Sequence, residues 1–310
     1  MNTTHALNLL IKGFLKKGDH VLISDMEHNS VFRPIFRLAS EGLIEYSVFS
    51  TSCLRNGAES DALCREISAL IKPNTTLLLC THMSNICSLT LPLREIGILC
   101  RQHGIFFAVD AAQSAGHTDI NMRSLGIHAL CAPAHKGLCG IQGAGVLVLA
   151  EPTSLATLME GGNGMYSLEG NMPTELPERL ESGTLPTPAL AGLCEGIRFI
   201  REIGCDTIGA HEKMLYKALR DRLEDLKSVR LFLPQNEGAI LLFSMDQKGS
   251  EAVAAALAKE GICVRAGYHC AALAHKALCT PEGGAVRVSF GHGNRLSDLD
   301  ALWRALKKML

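Results

Sequence analysis

Short apolar runs alternate with stretches of helical spacing through the first half of this chain, and that alternation constrains the fold more than any other feature. "HVLIS", "LIEYSVF", "TTLLLCTH", "IFFAVD" and "HALCAP" are strand-length runs. Between them stand "VFRPIFRLASEG", "DALCREISALIKP", "LREIGILCRQHG" and the shorter "INMRSLG", all with helical spacing. Continuous apolar runs suit strands buried on both faces, as in parallel sheets covered by crossover helices. The expected fold class is therefore α/β with a mostly parallel sheet. The proline in "VFRPIFRLASEG" sets the expected start of that helix near Pro34.

The pattern changes near residue 150. The stretch 151–188 is rich in Gly, Pro, Ser and Thr and reads as a long irregular segment, a kind that is usually functional. Helices resume at "ALAGLCEGIRFIREIG" and around 206–227. The chain then closes in an α+β pattern: strands "VRLFLP", "GAILLFSM", "ICVRAG" and "AVRVSF", with helices "SEAVAAALAKEG" and "LSDLDALWRALKKML". We expect a large α/β domain over 1–204 and a smaller α+β domain over 205–310.

Composition narrows the class. With 47% hydrophobic and 20% charged residues, the 310-residue chain can bury a substantial core. A formal net charge of −1 gives no reason to expect nucleic acid or an anionic membrane surface as a partner. No apolar run reaches the roughly 18 residues of a membrane span, and the first residues lack the pattern of a signal peptide. Twelve cysteines scattered through apolar segments fit reduced core cysteines and a cytoplasmic location.

Ligands of open α/β sheets bind at the carboxyl ends of the strands, and there the polar residues gather. Asn85 follows "LLLCTHMS", Asp110 follows "IFFAV", and His135 and Lys136 follow "HALCAPA". A lysine beside apolar strands has a lowered pKa and can form a Schiff base with an aldehyde. A lone lysine in such a place is more commonly a snorkelling or phosphate-binding one. Asp110 needs a cation, whether a protonated pyridine nitrogen, a metal or an arginine, or else it serves as a helix cap. The two together are the pairing that pyridoxal 5'-phosphate (PLP) chemistry uses. Thr3 and Thr4 open a helix, where free N–H groups suit a phosphate or a plain N-cap. Near the other end of the chain, Cys270 is flanked by His269 and Arg265, so it is either a reactive thiolate or a buried cysteine. The spacing of His269, Cys270, His275 and Cys279 matches none of the usual zinc patterns, and no metal site is expected. Arg287 inside a strand pattern wants an anion such as a substrate carboxylate, or a structural ion pair.

Taken in order, "TTHALN", "GDHVLISDMEHNSVFRP", "THMSNICSLTLPLREI", "AVDAAQSAGH", "AHKGLCGIQGAGVLVL", "RLESGTLPTPALAGL", "GICVRAGYHCAALAHKAL" and "VRVSFGHGN" resemble the class V aminotransferase family of PLP enzymes, fold type I. The likeness is greatest to its cysteine desulfurase and selenocysteine lyase group. It implies that Lys136 carries the cofactor and shuttles a proton. It further implies that Asp110 faces the pyridine nitrogen, that Gln113 bonds the phenolic oxygen, and that His28 stacks on the ring. By the same resemblance Thr3, Thr4 and His135 contact the phosphate, Asn85 and Arg287 hold the substrate carboxylate, and Cys270 takes the sulfur as a persulfide. A homodimer, L-cysteine as substrate and a sulfur-acceptor protein follow as expectations. Family members carry a further segment before the threonine motif. In this chain Met1 falls almost on that motif, and His5, Pro133 and Asn163 stand where the family usually has other residues. Rival readings are a selenocysteine lyase or aminotransferase on the same fold, and a non-catalytic remnant.

Overall fold

A computed structural model describes residues 1–57, 59–232 and 237–310. The first half forms a six-stranded sheet of β1 (His20–Ser24), β2 (Glu45–Phe49), β3 (Thr75–Thr81), β4 (Phe106–Asp110), β5 (Ala129–Pro133) and β6 (Gly145–Leu149), in the order β2-β1-β3-β4-β5-β6. Every pairing is parallel except β5 with β6. The continuous apolar runs have their physical cause here. β1 and β5 are buried along their whole length, whereas the edge strands β2 and β6 are partly open.

Successive side chains of each strand enter opposite layers. Val21, Ile23, Leu77 and Leu79 pack with Leu7, Leu10, Val31 and Ile35 of α1 (Thr3–Phe14) and α2 (Asn29–Ser40). Leu22, Leu78 and Phe107 pack on the other face with Leu63, Ile67 and Ile96 of α4 (Ser60–Leu70) and α5 (Leu93–Gln102). Two short helices, α3 (Ser52–Arg55) and α6 (Met122–Leu125), sit in the connections.

α2 corrects one expectation. It begins at Asn29, capped by the His28 side chain, and runs through Pro34 rather than starting near it. The cap and the burial of Val31 and Ile35 outweigh the one backbone bond that the proline removes.

Residues 151–186 hold no helix or strand beyond a single 3-10 turn at Glu178–Leu180. α7 (Thr187–Ile203) and α8 (Cys205–Glu224) lead into an antiparallel sheet of β7 (Val229–Leu231), β8 (Ile240–Met245), β9 (Arg265–Gly267) and β10 (Ala285–Ser289), ordered β7-β8-β10-β9. The strand expected over "VRLFLP" is seen at Val229–Leu231, and its last two residues, Leu233 and Pro234, lie outside the described residues. α8, α9 (Ser250–Lys259) and α11 (Leu296–Lys307) cover this sheet, their Leu215, Leu219, Leu257 and Leu302 sharing a core with Phe243 of β8. α10 (Ala272–Ala277) follows β9. Leu242, Ala271, Ala274 and Ala285 join the same core as Leu22 and Leu78, and the Ser88 hydroxyl accepts a 2.8 Å bond from Ile240 N–H, so the two sheets are tied together.

Candidate active site

The carboxyl ends of β1, β3, β4 and β5 and the amino end of α1 enclose a cavity of about 280 Å³. Thr3, Thr4, His28, Asn85, Asp110, Gln113, His135 and Lys136 line it, together with Asn2, Ser30, Thr81 and Pro133. Eight of the ten residues expected at the site are thus brought together from five separate stretches of chain. A larger cavity of about 600 Å³ shares Asn2 with it but has no lysine, arginine or cysteine in its walls. The chemistry-bearing side chains are in the smaller one.

The close approach that sets Lys136 depends on two glycines. A Cβ on Gly137 would lie 2.2 Å from His117 Nε2, and one on Gly116 would lie 2.0 Å from the Gly137 carbonyl. Only residues without a side chain let the loop after β5 press on the loop after β4 in this way. Lys136 opens to solvent through the cavity mouth, yet the protein around its amine lowers its pKa; Asp110 opposes that shift and Arg287 adds to it. A lowered ammonium pKa gives more of the nucleophilic free amine.

Asp110 is 2% exposed at the end of β4. Its Oδ1 accepts the Ala112 N–H at 3.0 Å, a local turn bond and not the cap of a helix. No cation pairs with it among the described residues. Burial raises its pKa, and the Ala112 bond and Lys136 pull it back. A buried carboxylate with no contacting cation is costly unless a ligand brings one.

At α1 the cap is not a threonine. Asn2 is the N-cap and accepts the His5 N–H at 2.9 Å, which leaves both threonine hydroxyls out of the capping role. Thr3 is buried, and its Oγ1 has no partner. The first N–H groups of the helix, the macrodipole and that hydroxyl together suit an anion.

The His28 ring is fixed by its capping role. Its Nδ1 accepts from Ser30 N–H at 3.1 Å, with the Ser30 hydroxyl at 2.6 Å. Nδ1 therefore lacks a proton, and the neutral ring carries it on Nε2. Burial first, then the charge of Lys136, Arg287, Arg33 and Arg265, push its pKa down to about 4.

Cys270 and Arg287 stand beside the cavity and do not line it. Arg287 Nη1 donates to the Asn85 carbonyl at 3.0 Å, and Asn85 Nδ2 donates to the His269 carbonyl at 2.9 Å. Asn29 N–H donates to the Cys270 carbonyl at 2.7 Å. Cys270 is exposed, which corrects the buried-cysteine alternative. Arg287 pairs with no carboxylate among the described residues, and its Nε and Asn85 Oδ1 are buried without partners. An unpartnered guanidinium N–H suits a carboxylate and an unpartnered amide oxygen suits an N–H donor, the two groups of a small amino acid.

Glu27 was not anticipated. It is fully buried, and Oε1 accepts from the Ser24 hydroxyl and, at 2.9 Å, from Thr81 N–H. Burial, with the nearby Asp110 charge, pushes its pKa up to about 8. The only trace of it in the sequence is a carboxylate directly before His28 at the end of an apolar run.

The donor set fits PLP: a helix N-terminus with a free hydroxyl for the phosphate, an unpaired buried carboxylate for a ring N–H⁺, and a depressed lysine for the aldehyde. The comparisons agree. A profile of the aminotransferase class-V family matches residues 1–302. The chain is 31% identical to a probable cysteine desulfurase of Methanothermobacter thermautotrophicus, over 99% of this chain and 78% of that protein. It is 30% identical to a cysteine desulfurase of Salmonella newport, over 87% of this chain and 67% of the relative. The solved apo structure of a cysteine desulfurase from Thermococcus onnurineus NA1 superposes with a TM-score of 0.88 at 29% identity, covering 99% of this chain and 77% of that one. Strand order, cavity and family match converge: the chain belongs to the class V aminotransferases, on the fold of PLP enzymes of fold type I.

Proposed function

We propose that this chain is a PLP-dependent cysteine desulfurase that converts L-cysteine to L-alanine and takes the sulfur onto Cys270 as a persulfide. The observation that carries the reading is the shared cavity of Lys136 and Asp110, with Cys270 and Arg287 joined to its wall through Asn29 and Asn85.

When bound, PLP supplies an aldehyde for an amine and a protonated ring that draws electrons from the substrate α-carbon. Lys136 holds the aldehyde end and accepts and returns the α-proton at Nζ. Asp110 keeps a positive charge on the ring nitrogen, and His28 presents the neutral ring described above to the cofactor face. Gln113 offers a hydrogen bond to the phenolic oxygen, and the end of α1 with His135 takes the phosphate. Arg287 orients the substrate carboxylate, and Asn85 Oδ1 is left to accept from the substrate nitrogen. Overall, the Cβ–S bond of cysteine breaks and a bond to Cys270 Sγ forms. The electron pair of the broken bond stays on carbon, which takes a proton to become the alanine methyl group. The persulfide sulfur then passes to an acceptor protein.

The reading divides the chain into a cofactor-holding unit over 1–204 and a smaller unit over 205–310, supported by the two separate sheets. It also takes the working form as a homodimer. All twelve cysteines are unpaired, which suits a reducing cytoplasm. Among the described residues no helix is long and apolar enough to cross a membrane.

The test is the visible absorption of purified protein with and without added PLP, followed by sulfide release from L-cysteine. Lys136→Ala is expected to abolish the cofactor band and the sulfide. Cys270→Ala is expected to keep the band and lose the sulfide. A colourless protein that takes up no PLP would favour a non-catalytic remnant. Wild-type protein that transaminates without releasing sulfide, and does so equally well as Cys270→Ala, would favour a transaminase.

A further inference from the structure

The thiol assigned to sulfur transfer sits on unusual backbone. His269 and Cys270 are consecutive left-handed residues with φ of 50° and 55°, and neither is glycine. Such conformations persist only where the surroundings enforce them. The two carbonyls are held from the large sheet by Asn85 and Asn29, as described above. The remaining constraint comes from the other side. His269 Nε2 lies 3.1 Å from the Arg265 carbonyl, and its Nδ1 lies 3.1 Å from His275 Nε2. His275 Nδ1 in turn lies 2.9 Å from the Thr280 hydroxyl. The two imidazoles stack at 15° with centroids 5.3 Å apart, and both are buried.

The carbonyl at one end gives this chain a direction. Arg265 O only accepts, so His269 Nε2 must carry the proton and Nδ1 must accept. His275 then donates from Nε2 and accepts at Nδ1 from the Thr280 hydroxyl. Burial pushes both rings down to about 4, so the neutral arrangement holds at neutral pH. None of the three side chains lines the cofactor cavity. An apolar core residue would fill the place of His275 without burying two ring nitrogens. The chain of bonds runs from Thr280 through His275 and His269 to the Arg265 carbonyl of β9, and so fixes the residue next to Cys270.

We propose that His275 and Thr280 are positioning residues that fix the tautomer and place of His269, and through it hold the Cys270 thiol where it receives sulfur. This rests on the assignment of Cys270 as the sulfur acceptor. In the PLP-loaded enzyme, His275→Phe keeps the ring and removes the donor, His275→Gln keeps a donor and an acceptor, and Thr280→Val removes the far hydroxyl. The readouts are the single-turnover rate of Cys270 persulfide formation, KM for L-cysteine, and exchange of the alanine Cα proton with deuterated solvent, which needs Lys136 and not Cys270. In the cofactor-free protein, amide exchange of residues 268–271 reports the turn directly.

His275→Phe is expected to slow persulfide formation at least about ten-fold, as a thiol displaced by a fraction of an ångström would. KM and Cα exchange should stay within about two-fold, and His275→Gln should recover most of the rate. Thr280→Val should slow it about three-fold and speed amide exchange at 268–271. Unchanged persulfide rates in both His275→Phe and Thr280→Val would overturn the proposal, as would loss of Cα exchange in parallel with persulfide formation. If His275→Phe does not fold, a wild-type persulfide rate in Thr280→Val overturns it alone. Wild-type enzyme that forms no persulfide on Cys270 would instead refute the desulfurase reading itself.

Discussion

Asp110→Asn separates a site built for a cation from an ordinary buried polar residue, because the two predict opposite signs. Asp110 is 2% exposed, makes one hydrogen bond to Ala112 N–H, and pairs with no cation among the described residues. Asparagine is the same size and can still accept that bond. The substitution therefore removes a buried, unpaired charge while keeping the packing. We expect the cofactor-free protein to gain about 1–3 kcal/mol, the scale of an uncompensated buried polar group. That raises Tm by about 2–4 °C for each kcal/mol. With PLP the sign reverses. A carboxylate against a pyridinium is a charge-assisted bond of about 1.5–3 kcal/mol, so affinity for PLP should fall about ten- to one-hundred-fold. Thermal melts with and without PLP, and a titration followed by cofactor absorption, give both quantities. A cofactor-free variant less stable than wild type, with unchanged PLP affinity, would show that Asp110 is structural and would refute the reasoning.

Three further outcomes follow from the same structure. Glu27 has a folded pKa of about 8 against an ordinary 4.5, so its contribution is full below 4.5 and is lost as pH rises towards 8. Glu27→Gln should therefore gain stability over wild type by up to about 1.4 kcal/mol per pH unit across that window and level off above it, as denaturant melts at several pH values would show. His82, His269 and His275 are buried and shifted from 6.5 to about 4, so the unfolded chain binds protons first and stability should fall as pH drops from 6.5 to 4. Each histidine adds up to about 1.4 kcal/mol per pH unit to that slope and Glu27 subtracts a similar amount, so a Tm that is flat from neutral pH to pH 5 would contradict the burial of these rings. Gly137→Ala places a Cβ 2.2 Å from His117 Nε2. Overpacking of this kind costs about 1–3 kcal/mol and should weaken PLP binding by moving Lys136, measured by melting and by titration.

Much of this protein was legible in the order of its residues. Runs such as "HVLIS" and "HALCAP" are apolar at every position because β1 and β5 are covered on both faces, and that alone specified a parallel sheet with its polar residues at the strand ends. Lys136, Asp110 and Asn85 were found from that rule, since a charge at the end of a buried strand has few reasons to be there. Local chemistry was less legible. Two adjacent threonines advertise a cap, yet Asn2 takes it, because the choice depends on which side chain the incoming backbone aims at the first turn. Pro34 advertises a helix start, yet tertiary burial carries α2 past it.

What the chain order could not supply was anything decided by contact between distant segments. Asn85 and His269 are 184 residues apart and share a hydrogen bond. The exposure of Cys270, the proton on His28 Nε2 and the rise in the Glu27 pKa all depend on which groups burial brings near. Sequence periodicity records how each element meets its own layer, and so it determined the sheet. The charge state and aim of each site residue depend on desolvation and on neighbours from other elements, and those exist only once the layers have packed.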